Sequence, residues 1–426
     1  MLNKPERQVI KFQLDKETQV LKDLERQYKQ ALKDIEDKIK LLQADELTQS
    51  RIYQLQYQKA LKGQVEGILD KLQGDEYATI QQYLHDSYRD GFIGTMYSVH
   101  GQGVPLLLPL DQNAAVKAVI TDSALSEDLY SELGVNIKQL KQAVRQEITR
   151  GLASNMPLAD IARNISNRSK APLSRAKTIV RTEGHRIQQA SADDARNAAK
   201  AEGCDVVKQW DGTLDGNTRS THRRLDGQIR EVEEPFEMDG KKAMYPGDFG
   251  KAEEDCNCRC VALTRAKWAL DDDETKVQKE RLTKFYELDK AKDFETFEKK
   301  YLIADKALKN QGKSGTIERG KLALPVKKFT EYALNPEKQL DKAYAFKSAL
   351  GYDMSNVDGL IENILEHVDA SKFVSKGDGG YGKKYEYIIS LKGPNGRTAN
   401  VLTAWIEEDG KLRMTTVYVT ERKVTE

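Results

Sequence analysis

The chain is poor in cysteine, in long apolar runs and in net charge. Four of its 426 residues are cysteine, namely Cys204, Cys256, Cys258 and Cys260. Use that sparse does not make a secreted disulfide scaffold. The apolar stretch Val104–Leu110 (VPLLLPL) is interrupted by prolines and falls far short of the roughly 20 apolar residues of a membrane span. The opening MLNKPERQVIKF has no apolar core of the signal-peptide kind. Synthesis in the cytoplasm, with no membrane partner, is the expectation. Lys and Arg number 68 against 67 Asp and Glu, so no global field draws the chain to nucleic acid or to anionic lipid.

What is present is length and mixed charge. A chain of this size is too long for one ordinary core and divides into several domains. From about Arg7 to Gln73, Leu21, Leu24, Tyr28, Ala31, Ile35 and Leu42 recur mostly at three- and four-residue steps among charged residues. That is a coiled-coil-like seam on a charged rod. A break at Ala44–Leu47 suggests a hairpin, with a second helix from about Thr48 to Leu72. A third helix, Glu76–Val99, places Tyr77, Ile80, Leu84, Tyr88 and Phe92 on related faces. Such helices either pack on one another or dock on a partner's helices. After the loop Gly101–Pro109, helices continue from about Asn113 to Ala201. One starts in SNMPLADIARNI (Ser154–Ile165), with Asn155 as cap and a proline in the first turn. Another, Leu173–Ala201, carries RTEGHR (Arg181–Arg186) near its middle.

The character changes at Cys204. Val206–Trp210 reads as a strand, DGTLDGNTRSTH as turns leading to His222, and GQIREVEEPFEM as a hairpin or short strands. A loop then ends in the short strand Arg259–Leu263. Lys267–Lys328 returns to charged helix, with DDDE at Asp271–Glu274, and Asn310–Gly320 (NQGKSGTIERG) reads as a polar linker. In the tail, Asn335–Leu350 and Val357–Val368 read as helices. Glu386–Leu391, Thr398–Trp405 and Leu412–Val419 read as strands joined by GPNG and EEDG turns. The expected architecture is therefore multidomain and mainly α. It has a long helical region over 1–110, a central α+β module over 111–266, a helical linker over 267–321 and a C-terminal α+β domain with a small antiparallel sheet over 322–426.

Chemistry-bearing residues crowd into Arg181–Cys260. Arg181 and His185 are four apart and share a helix face, with Glu183 pointing elsewhere. Asp215, Arg219 and His222 follow at loop spacing. They suit an acid–base site, with His222 as base and Arg219 holding an anion. They suit equally a salt-bridged brace in a small unit with little apolar content. Cys256, Cys258 and Cys260 alternate, so an extended strand would turn all three to one side. Zinc would need four tetrahedral ligands, with His222 or Cys204 as the fourth. The alternative is one or two buried structural thiols, with or without a disulfide.

The ordered motifs RTEGHR, a tryptophan strand, DGNTRSTHRRLDG, YPGD and NCRC resemble the phage Mu protein F-like minor head protein, or phage head morphogenesis, domain. The likeness covers about Asp111–Thr264. Arg181, Glu183, Trp210, Asp215, Arg219, His222, Asp226, Asp248, Cys258 and Cys260 fall on its motif positions, and Cys256 exceeds its usual closing pair. The resemblance implies a minor head (minor capsid) protein of a tailed phage or prophage. Its place would be the virion, at the portal vertex inside the capsid, with roles in head assembly and in DNA packaging or ejection. Its partners would be the portal protein, the scaffold or major capsid protein, and phage DNA. Most of the motif residues are expected to be structural.

The tail resembles the small C-terminal domains of polymorphic toxins, with a helix–helix–sheet order similar to the barnase, endoU, colicin and RelE-like ribonucleases. That likeness implies an effector acting on RNA. Lys384, Tyr385, Thr403, Arg413, Thr415 and Tyr418 are the candidates for phosphate binding and proton transfer. His367 reads as a surface residue.

Overall fold

The computed structural model describes residues 2–44, 51–104, 106–111, 124–153, 156, 158–215, 217–268, 281–378, 382–408 and 410–424. Residues 45–47 of the expected break at Ala44–Leu47, the helix start at Thr48, the Asn155 cap and the DDDE run lie outside them, and Ala44 itself is helical. The chain forms two compact units, one of residues 1–102 and 111–269, the other of 103–110 and 270–426. It is multidomain and mainly α, with long N-terminal helices and a β-containing C-terminal region.

Four long helices dominate the first unit: α1 (Lys4–Ala44), α2 (Arg51–His100), α3 (Ala124–Ala153) and α4 (Leu158–Ala201). The first two run antiparallel. Gln8 accepts from the Tyr97 hydroxyl at 2.6 Å, Lys16 meets Asp90 at 2.7 Å and Gln27 donates to Thr79 at 2.7 Å, so partner numbers fall as the other set rises. The seam residues Leu24, Tyr28, Ala31 and Ile35 are buried. Tyr28, Ala31 and Ile35 join a cluster with residues of α2, α3 and α4, while Leu24 joins a second with Ile80, Leu84 and Ile179.

Two expected helix boundaries are not boundaries. The second and third helices are one, α2, which runs straight through Gly74. Its buried stripe Leu61, Val65, Leu69, Leu72, Glu76, Ile80, Leu84, Tyr88 keeps three- and four-residue steps across that glycine. Burial along the stripe outweighs the roughly 1 kcal/mol that an internal glycine costs. Tyr77, expected on the inner face, is exposed. Likewise α4 contains Pro172, and the stripe Ile161, Ile165, Ala176, Ile179 continues on both sides of it. Packing holds the helix together across a residue that removes one hydrogen bond.

Glu76 sits inside the α2 stripe and accepts a 3.3 Å hydrogen bond from the Tyr28 hydroxyl. Burial pushes its carboxyl from 4.5 up to about 7. A raised carboxyl means that the folded state holds the proton more tightly than the unfolded chain. Stability from this group is therefore complete below pH 4.5 and is lost as pH rises towards about 7. Glu76→Gln should leave stability nearly unchanged at pH 4.5 and raise it by about 1–2 kcal/mol at pH 8. Urea titrations at the two pH values check this; a loss of stability at pH 8 would refute it.

The remainder of the first unit is a small α+β module. Strands β1 (Asp205–Asp211), β2 (Ile229–Glu231) and β5 (Val261–Trp268) form an antiparallel sheet in the order β2-β1-β5. Between them lie α5 (Ser220–Leu225), the hairpin β3 (Phe236–Met238) and β4 (Lys241–Ala243), and α6 (Ala252–Asp255). Trp210 of β1 pairs with Ala262 of β5. The last strand thus begins two residues later than expected and runs on to Trp268.

In the second unit, α7 (Phe294–Asn310) is capped by Asp293, which accepts from the Thr296 amide at 2.8 Å. The proline-containing stretch after α2 packs here. The Tyr301 hydroxyl donates to Leu108 O and accepts from Leu108 N, and Asp305 accepts from Leu110 N. Helix α8 (Leu340–Leu350) starts five residues later than expected, and α9 (Val357–His367) ends one residue earlier. The sheet is larger than expected. It has six strands, β6 (Thr316–Arg319), β7 (Leu322–Pro325), β8 (Val374–Asp378), β9 (Lys383–Lys392), β10 (Thr398–Glu408) and β11 (Lys411–Thr420), in the order β6-β7-β11-β10-β9-β8. The β7–β11 pair is parallel. Part of the expected linker is therefore an edge strand, since Thr316–Arg319 pairs with Leu322–Pro325.

Candidate functional site

The densest meeting of chemistry-bearing side chains lies in the small α+β module, around Trp210. Strand alternation sends Trp210 inward, fully buried among Leu225, Phe236, Met238, Cys258, Cys260 and Ala262. Helix α5 supplies His222 and Leu225, three apart and both buried. The His222 ring meets the Trp210 edge at 5.7 Å and stacks on Phe249 at 6.0 Å. Its Nδ1 lies 3.3 Å from Cys260 Sγ and 3.6 Å from Cys258 Sγ. Its Nε2 lies 3.3 Å from the Glu254 carboxylate. Glu254 is itself held by the Thr221 hydroxyl at 2.9 Å and by Lys241 Nζ at 2.6 Å. The two sulfurs share a hydrogen bond, which lowers the Cys260 thiol and raises that of Cys258.

Cys256 does not join them. It ends α6, and Asn257 adopts a left-handed φ of 55°, so the extended alternation expected across the three cysteines is broken there. Its thiol instead borders a cleft of about 740 Å³ lined also by Glu17, Arg181, His185, Arg219 and Cys258. Among the described residues, His222, Cys258 and Cys260 form the one group of three whose ligand atoms all lie within 4.8 Å of one another. Cys204 is outside it, and no disulfide joins the four cysteines.

The other motif residues each tie one segment to another. Arg181 and His185 line the same cleft, and Arg181 reaches Glu17 of α1 at 3.5 Å. Burial holds the His185 imidazole neutral, with its pKa down at about 4, against a hydrogen bond to the Cys260 carbonyl. Glu183 turns into the protein and pairs with Arg186 at 2.9 Å. Arg219 donates to the Cys256 carbonyl at 2.6 Å. Asp215 accepts from the Asn217 amide at 2.9 Å and pairs with Arg259 at 2.7 Å. The Arg259 guanidinium, then the turn amide, hold the Asp215 carboxyl at about 2. Asp226 closes the Gly212 turn at 2.8 Å, and Asp248 closes YPGD by accepting from the Met244 amide at 2.8 Å. Asp215, Arg219 and His222 are thus not brought together around one point. His222 faces sulfur and Glu254, while Arg219 and Asp215 are engaged elsewhere.

Sequence reasoning passed over Glu254, hidden in the acidic run AEED, and Asp193, Arg196 and Lys208. The Asp193/Arg196 pair at three-residue spacing on α4 was the available signal.

The tail candidates do not converge. The pleat alternates faces, and register places Thr403 opposite Tyr387 and Trp405 opposite Tyr385. Tyr385 and Thr403 therefore lie on one face. Lys384 and Arg413, both opposite Ile406, and Tyr418, opposite Leu402, lie on the other. Thr403 is fully buried, accepting from the Trp405 indole and donating to Tyr387 O, both at 2.9 Å. Arg413 makes a two-pronged pair with Glu408 at 2.8 and 2.7 Å. Tyr385 donates to Glu407 at 3.0 Å, and Thr415 donates to Ala404 O at 3.1 Å. His367 is exposed at the end of α9.

Residues 139–263 match the family model of Phage Mu protein F like protein. The matched stretch contains the whole motif array from Arg181 to Cys260. Residues 317–421 match a family described as a domain of unknown function (DUF6883). Over 204 residues the chain is 30% identical to the minor head protein GP7 of Bacillus phage SPP1, covering 47% of this chain and 63% of that protein. Over 186 residues it is 32% identical to the NAD(+)–arginine ADP-ribosyltransferase EFV of Enterococcus faecalis (strain ATCC 700802 / V583), covering 43% of this chain and 38% of that protein. It thus spans less than two thirds of either relative. No solved structure matches the chain.

Proposed function

We propose that the chain is a minor head protein of a tailed phage or prophage, placed in the virion at the portal vertex and acting in head assembly and in DNA packaging or ejection. The observation that carries this reading is the Mu F-like module itself, together with the likeness to a minor head protein. Its charged residues are spent on braces between segments rather than on an open acid–base centre. The long helices α1 and α2 supply a charged outer surface of the kind that suits docking on portal, scaffold or capsid proteins. Purified particles test the proposal. The chain should be found in them in few copies and should cross-link to the portal protein. Its absence from procapsids and virions would overturn it.

A second reading concerns the tail alone: a phage-delivered effector with a ribonuclease-like action on RNA. It is favoured by residues 270–426 with 103–110 forming a compact unit of their own. Expression of the full chain in bacteria tests it. Growth arrest with RNA cleavage, relieved by Arg413→Ala, supports the reading, and neither effect at high expression removes it. A fragment beginning at residue 322 would be a poor probe, because it discards β6 and α7.

A further inference from the structure

We propose that Cys258, Cys260 and His222 form a zinc site, with Glu254 orienting the histidine. The geometry is that of a metal centre. With bonds of about 2.3 Å to sulfur and about 2.0–2.1 Å to nitrogen, a tetrahedral zinc sets sulfur and imidazole nitrogen about 3.5 Å apart. The two distances here are 3.3 and 3.6 Å. A single ion can therefore reach all three atoms with shifts of a few tenths of an ångström.

The surroundings fit the same purpose. His222 turns Nδ1 to the sulfurs and Nε2 to Glu254, an arrangement in which a carboxylate fixes the tautomer and orientation of a metal-bound ring. Glu254 is fixed in turn by Thr221 and Lys241. The Trp210 indole nitrogen is buried beside the Cys260 sulfur, where a metal-bound thiolate is a ready acceptor. Phe249 and Phe236 exclude water around it. Zinc would join α5 to the start of β5 in a module whose apolar core is small, and the bond would persist where salt weakens surface ion pairs. Three protein ligands leave the fourth position to a water. On binding, each thiol proton is released to solvent as its sulfur–zinc bond forms.

The test uses the full chain, purified without added metal or chelator and under reducing conditions. Elemental analysis should find close to one zinc per chain. Cys204→Ser and Cys256→Ser should keep it, and Cys258→Ser with Cys260→Ser should lose it. Should that double variant fail to fold, the wild-type protein still decides the matter. Exchange into cobalt should give the intense thiolate-to-metal absorption and visible bands of a tetrahedral site with two thiolates. Substoichiometric zinc that does not rise on addition of the metal would overturn the proposal. So would zinc retained by the double variant, or a thiol titration showing Cys258 and Cys260 joined as a disulfide.

Discussion

Asp193→Ala should cost the first unit about 3–5 kcal/mol, the loss expected when one partner of a buried ion pair is removed. Asp193 lies on α4 between two cations with no exposed surface. Arg196 Nη2 is 3.0 Å from its carboxylate, and Lys208 Nζ of β1 is 3.7 Å away. Burial pulls both cations down, and the Asp193 charge holds them up. Arg196 also donates to Ala262 O at 3.0 Å, and Lys208 donates to Met244 O at 2.9 Å. One carboxylate therefore fastens α4, β1, β5 and the YPGD turn around a common point. Without it, two buried cations lose their paired carboxylate and keep only their carbonyl bonds and the more distant charges of Asp194 and Asp248. A domain has about 5–15 kcal/mol in all, so the loss is a large share. Asp193→Asn should cost less, since an amide oxygen can still accept from Arg196. Equilibrium urea unfolding measures both. A loss below about 1 kcal/mol for the alanine variant would show that the cluster does not hold the module.

Periodicity carried the sequence reading where it was strong. The seam Leu24, Tyr28, Ala31, Ile35 is the buried face of α1, and the strand at Trp210 lies where its apolar, β-branched neighbours place it. Breaker residues misled. Gly74 and Pro172 mark helix ends only when no tertiary stripe crosses them, and here the stripes cross both. The edge strands β6 and β8 are exposed at every position, so they carry no alternation to read. Strand β6 pairs with β7 and β8 with β9, and β7 in turn reaches chain far along the sequence, where Leu322 meets Leu412. The metal-ligating group was legible only in part. Residue type singled out His222 and the cysteines, but the left-handed turn at Asn257, which sends Cys256 away, is a matter of backbone geometry. Conversely, the separation of the tail candidates was readable from the strand period alone. Lys384 and Tyr385 are adjacent on one strand and cannot face the same ligand.

The same substitution should have opposite signs at two glycines of α2. A Cβ on Gly91 would lie 2.4 Å from the carbonyl oxygen of Gln188 and 3.0 Å from its Cα. Those are backbone atoms of α4, which cannot swing aside as a side-chain tip can. Close approach of the two helices is general along this line. Gly184 of α4 would meet the Tyr83 ring at 2.4 Å, and the Ser191 hydroxyl donates to the carbonyl of Tyr88. Alanine at position 91 would gain about 1 kcal/mol of helix propensity. Against that, parting two packed helices costs about 1–3 kcal/mol or more, and it also loosens the Ser191 bond. The steric cost wins, and Gly91→Ala should destabilise by about 2 kcal/mol net. A Cβ on Gly74 has no neighbour within 4 Å. Only the propensity gain operates there, so Gly74→Ala should stabilise by up to about 1 kcal/mol. Paired thermal melts of the two variants check the contrast. Stabilisation by Gly91→Ala would mean that α2 and α4 are not in backbone contact at Gln188, and destabilisation by Gly74→Ala would mean that the α2 stripe does not carry the helix through that position.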